Sequence, residues 1–188
     1  MRTFIAIDLS QEIKKVLSRL IEELDEMDKE HKKIRWVKKE GMHLTIKFLG
    51  DVGNEKISQI EKALKNISGK FEPFVLKLKR TGTFPPGSTN PRVLWIGIEE
   101  EETLKALQYQ IEAELEKLGF PRERRKFHPH LTLGRVKVFS NLRQTLLLLE
   151  KYRERIFGEM KVEKITFFQS KLKPTGAEHS ILSEFELK

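Results

Sequence analysis

The sequence predicts an α+β fold of two lobes around a central cleft, each lobe a mostly antiparallel sheet with helices on its outer face. Three observations predict it. Apolar residues switch repeatedly between the two-residue period of strands and the 3.6-residue period of helices. The order of those patterns in the first half recurs in the second, a degenerate repeat of about 90 residues present twice. Between the copies, residues 81–91 are dense in Pro, Gly, Ser and Asn, which marks a crossover loop. The expected organisation is one bilobal domain over 1–188, with repeat 1 at about 1–80, the crossover at about 81–91 and repeat 2 at about 92–188. A pseudo-two-fold axis relating the lobes would make the groove between them the natural site.

Along repeat 1, residues 3–9 read as a buried strand through Phe4, Ile5, Ala6 and Ile7. Ser10 can cap the helix that follows, which carries Ile13, Val16, Leu17, Leu20, Leu24 and Met27 on one face. A basic stretch, 31–39, leads to a strand around His43–Leu49. The next helix opens near Asn54, aligns Ile57, Ile60, Leu64 and Ile67, and ends at Gly69. Phe74, Leu76 and Leu78 alternate with lysines as in a half-buried strand.

Repeat 2 runs in the same order. A strand at Val93–Ile98 is followed by a helix with Leu104, Leu107, Ile111, Leu115 and Leu118, stopped by Gly119. The basic stretch 122–126 precedes a strand around His130. A helix capped by Ser140 and closed by Gly158 carries Leu142, Leu146, Leu149 and Tyr152. One strand is expected through Val162, Ile165 and Phe167, and a last one over His179–Leu187, paired through the turn at 173–178.

Composition removes several classes of chemistry. With no cysteine, there is no disulfide, thiolate nucleophile or cysteine-based zinc site. Thirty-six Lys and Arg against 28 Asp and Glu give +8, which favours an anionic partner. The longest uninterrupted aliphatic run, 146–149, is far short of the roughly 20 residues of a membrane span, and the N-terminal apolar stretch is too short for a signal sequence. A soluble, cytoplasmic protein with no membrane partner is expected.

The chemistry concentrates in two His-Leu-Thr triplets at matching places in the repeats, His43–Thr45 and His130–Thr132. On a strand, His and Thr share one face and the aliphatic neighbours the other. Brought together by the pseudo-two-fold, two imidazoles and two hydroxyls suit in-line displacement at phosphorus, which needs a base on one side and an acid on the other. The imidazoles supply both, and the threonine hydroxyls can hold the non-bridging oxygens. No metal is required. His128 stands two residues from His130, a metal-ligand spacing, but Pro129 intervenes and no local carboxylate completes a set. His31 and His179 read as surface or structural histidines.

The paired triplets, the 46–52 segment after the first, the 84–98 segment and the 129–136 segment together resemble the 2H phosphoesterase superfamily. Within it the likeness is to the bacterial and archaeal RNA 2',3'-cyclic phosphodiesterases, also called 2'-5' RNA ligases of the LigT/ThpR type, and it spans essentially the whole chain. The resemblance implies opening of an RNA 2',3'-cyclic phosphate toward a 2'-phosphate, with His43 as proton donor, His130 as proton acceptor, and Thr45 and Thr132 on the phosphate. The residues by themselves leave the two histidine roles interchangeable. The same opening with a 5'-hydroxyl in place of water would be 2'-5' ligation, a reversible reaction that the ligase name implies. No P-loop, dinucleotide loop or Lys-x-Asp-Gly motif is present, so ATP use and cofactors are not expected. The expected partner is RNA bearing a 2',3'-cyclic phosphate end, tRNA halves included, with the protein a monomer.

Further substrate-binding candidates are Phe48, Arg135, Arg92 and Phe84. Strand parity places Phe48 on the pleat opposite His43, and Arg135 opposite His130. The resemblance, with Gly50 close by, suggests instead that the strand ends early and the Phe48 ring stacks a base. Trp36 and Trp95 read as core residues on strands, Trp36 being the nearer to RNA because Arg35, Lys38 and Lys39 surround it. Two other readings stand: a cyclic phosphodiesterase for small nucleotides or ADP-ribose cyclic phosphate, and a noncatalytic RNA-binding module.

Overall fold

A computed structural model describes residues 1–28, 33–99, 102–138, 141–173 and 176–188. His31 and the expected cap Ser140 lie outside the described residues, as does part of the 173–178 turn. The elements follow in the order β1 (Arg2–Asp8), α1 (Gln11–Glu26), β2 (Ile34–Trp36), a 3-10 turn (Lys39–Gly41), β3 (His43–Asp51), α2 (Asn54–Ser68), β4 (Phe74–Phe84), β5 (Val93–Ile98), α3 (Glu102–Glu116), β6 (His130–Val136), α4 (Arg143–Lys151), β7 (Ile156–Val162), β8 (Lys164–Lys173) and β9 (Gly176–Glu186).

Two antiparallel sheets result, one ordered β3-β1-β8-β9 and the other β2-β6-β5-β4-β7. Each takes strands from both halves of the chain. β2 and β4 of the first half build the second sheet, and β8 and β9 of the second half build the first. The helices cross over as well: α2 packs on β8 and β9 and α3 on β3, whereas α1 packs on β7 and α4 on β4. One apolar core, from Ile5 and Leu44 through Leu78 and Ile96 to Ile165 and Phe167, therefore runs through both lobes. The lobes and the sequence halves are different partitions of the chain.

Local chemistry accounts for the helices. Ser10 accepts from the Ile13 amide at 3.3 Å, satisfying an otherwise orphaned donor at the start of α1, whose stripe Ile13, Leu17, Leu20 and Leu24 is buried. Gly119, at φ +89°, turns the chain out of α3 while the Phe120 amide returns to the Leu115 carbonyl.

Three expectations are corrected, and the strand expected around Trp36 is located. β4 continues to Phe84, so the crossover starts later than residue 81, and Thr81 is held by donating to the Leu149 carbonyl at 2.6 Å. Within the basic stretch, Ile34–Trp36 forms β2 against β6. The fourth helix stops at Lys151, not Gly158; that glycine lies in β7 opposite Leu78 at φ +140°, where a Cβ would stand 2.9 Å from Ile13 of α1. Finally, Val162 and Ile165 belong to different strands in different sheets. Their three-residue spacing breaks strand alternation, and at Glu163 between them the carbonyl accepts from the Leu187 amide.

Candidate active site

The two His-Leu-Thr triplets open β3 and β6, strands that meet where the two sheets approach each other. In each triplet His and Thr are half-buried while Leu44 and Leu131 are in the core. Both strands then carry a bulge at the same place. Against β1 the register runs Asp8 with His43, Ile7 with Leu44 and Ala6 with Thr45, then skips Ile46 to pair Ile5 with Lys47 and Phe4 with Phe48. Against β5 it runs Gly97 with His130, Ile96 with Leu131 and Trp95 with Thr132, then skips Leu133 to pair Leu94 with Gly134 and Val93 with Arg135.

An extra residue exchanges the faces of everything beyond it. The opposite-pleat expectation for Phe48 and Arg135 is thereby corrected: Phe48, 68% exposed, shares the face of His43 and Thr45, and exposed Arg135 shares that of His130 and Thr132. The position just before Phe48 and Arg135 turns inward. In β3 it is Lys47, buried and bonded to Glu112 of α3 at 2.5 Å and to the Pro121 carbonyl at 2.8 Å. In β6 it is Gly134, where a Cβ would meet the Trp36 ring at 2.7 Å.

His43 stands in an aromatic cage. Phe4 lies 4.7 Å away between ring centroids, Phe168 stacks at 5.7 Å, and His179 meets it edge-on at 5.1 Å and 88°. Of the two readings of His179, surface or structural, this packing fits the second. Burial in the cage, with His179 adding like charge, lowers the His43 pKa to about 4. An unfolded imidazole titrates near 6.5. Stability from a neutral His43 is therefore complete above about pH 6.5 and lost as pH falls toward 4. Between pH 7 and 4, unfolding free energy should fall about 3 kcal/mol more in the wild type than in His43→Phe, read from urea transitions; equal losses would contradict the burial argument.

His130 is held differently. Its Nδ1 donates to the His128 carbonyl at 2.7 Å. A carbonyl only accepts, so the hydrogen sits on Nδ1 and the Nε2 lone pair is free in the neutral ring. Phe84 stands edge-on 5.0 Å from this imidazole, with Trp95 at 6.5 Å. Arg92 is exposed at the start of β5, its amide bonded to the Phe84 carbonyl at 2.7 Å; no contact joins its side chain to either histidine among the described residues. The tryptophans exchange places relative to expectation: Trp36 donates to Asp25 at 2.6 Å and packs over Gly134, while Trp95 lies beside His130.

Phe4, Phe168, His179, Trp95 and Arg35 belong to these surroundings, although the sequence does not single them out for the site. Arg35 pairs directly with Arg135 across β2 and β6, both exposed, and like charges so placed favour an anion between or above them. A cavity of about 960 Å³ between the end of β4, the loop after it and α4 reaches the site through Trp95 and is lined by neither histidine. Among the described residues no three His, Asp or Glu are grouped to hold a metal ion, and no helix is long and apolar enough to cross a membrane.

Two half-buried imidazoles thus stand near exposed arginines, an arrangement able to move protons beside an anion. The family model described as LigT like Phosphoesterase matches the chain twice, over 7–95 and 96–177. A Methanocaldococcus jannaschii protein named RNA 2',3'-cyclic phosphodiesterase is 36% identical over 185 residues, covering 98% of this chain and 100% of its own. Its Archaeoglobus fulgidus namesake is 37% identical over 187 residues, covering 99% and 100%. A crystal structure from Thermus thermophilus superposes with TM-score 0.80 at 28% identity, covering 100% of this chain and 98% of the other. With the repeat matched twice and the likeness running end to end, the chain belongs to the LigT-like phosphoesterase family, enzymes of phosphoester chemistry.

Proposed function

We propose that this enzyme hydrolyses the 2',3'-cyclic phosphodiester at RNA ends to a 2'-phosphomonoester. The observation that carries the reading is the pair of identically bulged His-x-Thr strands, one with its imidazole fixed as an acceptor and the other with its imidazole caged. The substrate class comes from the names of the full-length relatives.

Water attacks phosphorus as its proton passes to Nε2 of His130, the bond from phosphorus to the 3' oxygen breaks, and His43 delivers a proton to that oxygen. Thr45 and Thr132 hold the non-bridging oxygens. Exchange with solvent returns the proton from His130 and reloads His43. A pKa of about 4 leaves His43 neutral in the empty site at neutral pH. The arriving phosphodiester anion favours the imidazolium, so the donor proton is taken up with substrate. Arg135 and Arg35 extend the anion site along the RNA, and the exposed Phe48 ring offers a face for a base. With a 5'-hydroxyl in place of water the same displacement, its proton passing to His130 and the 3' oxygen leaving with the proton from His43, gives a 2'-5' linkage.

The test is incubation of a short RNA bearing a 2',3'-cyclic phosphate with the enzyme in EDTA and without ATP. A 2'-phosphate end is expected. A 3'-phosphate would reverse the leaving oxygen, and turnover of mononucleotide cyclic phosphates with the RNA untouched would replace the substrate class.

A further inference from the structure

His179 reaches His43 by an indirect route. β1 pairs with β8 only over Thr166–Gln169, whereas the β8–β9 ladder runs on to Lys173 and Gly176. β9 touches the 3-10 turn at Lys39–Gly41, the turn that leads into His43. The extended ladder sets His179 edge-on to both His43 and Phe4, each at 5.1 Å. Phe4, tilted at 4.7 Å, and Phe168, stacked at 5.7 Å, pack on the His43 ring, and His179 meets it edge-on. The Nδ1 of His179 is itself buried, with no hydrogen-bond partner among the described residues, which favours its neutral form.

The other groups around His43 are accounted for. On β1, Asp8 is its register partner, and its Oδ1 accepts from Lys14 of α1 at 2.7 Å and from the Leu9 amide at 3.0 Å. β8 contributes Phe168, which has no charge. The nearby carboxylate and ammonium thus offset each other, and His179 is the titratable ring directly against His43.

We propose that His179 is a positioning residue for His43: it fixes the orientation of the ring and shares a single proton with it, so that the doubly charged pair is excluded. This rests on the assignment of His43 as the proton donor. Two imidazoles 5.1 Å apart in an apolar cage repel strongly when both are charged, and they titrate as a unit. The consequence for catalysis is that a proton drawn in by the phosphodiester resides on His43, in line with the leaving oxygen, and His179 stays neutral.

The test follows the His43 imidazole by NMR titration in wild type, His179→Phe and His179→Ala, with steady-state kinetics on cyclic-phosphate RNA alongside. His179→Phe keeps an aromatic edge and removes the charge; the His43 midpoint should rise from about 4 and its curve should become single-step. His179→Ala also removes the wall, and kcat should fall roughly tenfold or more with KM within about twofold, as expected of lost orientation. His179→Asn serves in the titration if the phenylalanine form does not fold. An unmoved His43 midpoint in a folded, non-titrating variant overturns the proposal. The NMR readout needs no turnover, so a moved midpoint in an enzyme inactive on every cyclic phosphate would sustain the coupling and defeat the phosphodiesterase reading instead.

Discussion

Alanine at His43 or at His130 is expected to lower kcat on a cyclic-phosphate RNA by roughly 10² to 10⁴, the usual contribution of one positioned acid or base, with the far-UV spectrum and melting cooperativity preserved. The double variant should lose little more than the worse single one, because the two groups act on one transition state and their effects are not additive. The imidazoles are only half-buried, and among the described residues their one side-chain hydrogen bond runs from His130 to the exposed His128 backbone, so their loss leaves no buried polar group unpaired. RNA binding without catalysis in wild type and variants alike would instead favour a noncatalytic RNA module.

The second large effect concerns stability. Lys47 and Glu112 form a salt bridge with side chains 4% and 7% exposed, tying the β3 bulge to α3. Glu112 also accepts from the Glu123 amide at 3.2 Å, and Lys47 reaches the Pro121 carbonyl, so the pair anchors the segment leading toward His130. Lys47→Met leaves a buried carboxylate without its cation, and roughly 3–5 kcal/mol of unfolding free energy should be lost. Replacing both, Lys47→Met with Glu112→Leu, should recover most of it, since well-packed apolar groups often match a buried ion pair. Urea denaturation distinguishes the cases; a single variant within about 1 kcal/mol of wild type would mean that water reaches the carboxylate.

Much of this architecture is legible in local sequence. Ser10 and the stripe from Ile13 to Leu24 announce α1 because caps and 3.6-residue periodicity are short-range signals. The His-x-Thr pairs are legible because a repeat places the same chemistry twice. The bulges are not, since strand parity assumes an unbroken pleat. Ile46 and Leu133 look like ordinary inward residues until the partner strand shows that each is one too many. A lysine three residues from a deeply buried leucine is a faint sign of it, intelligible only once Glu112 is found opposite. The exchange of strands between lobes depends on where the chain turns at Glu163, and the one local sign of that turn is the three-residue spacing of Val162 and Ile165, which a bulge in a continuing strand would also produce. His179 is the extreme case, brought to His43 by a strand pairing far from it in sequence.

That the two histidines divide the acid and base roles is tested most directly by a substrate whose leaving group needs no acid. We would compare wild type, His43→Ala and His130→Ala on a 2',3'-cyclic phosphate and on its analogue with sulfur in place of the 3' oxygen, where the thiolate departs without a proton. The division of roles predicts that the sulfur analogue restores most of the loss in His43→Ala, on the order of 10²-fold, and none of it in His130→Ala. Equal deficits for both variants on both substrates would contradict it.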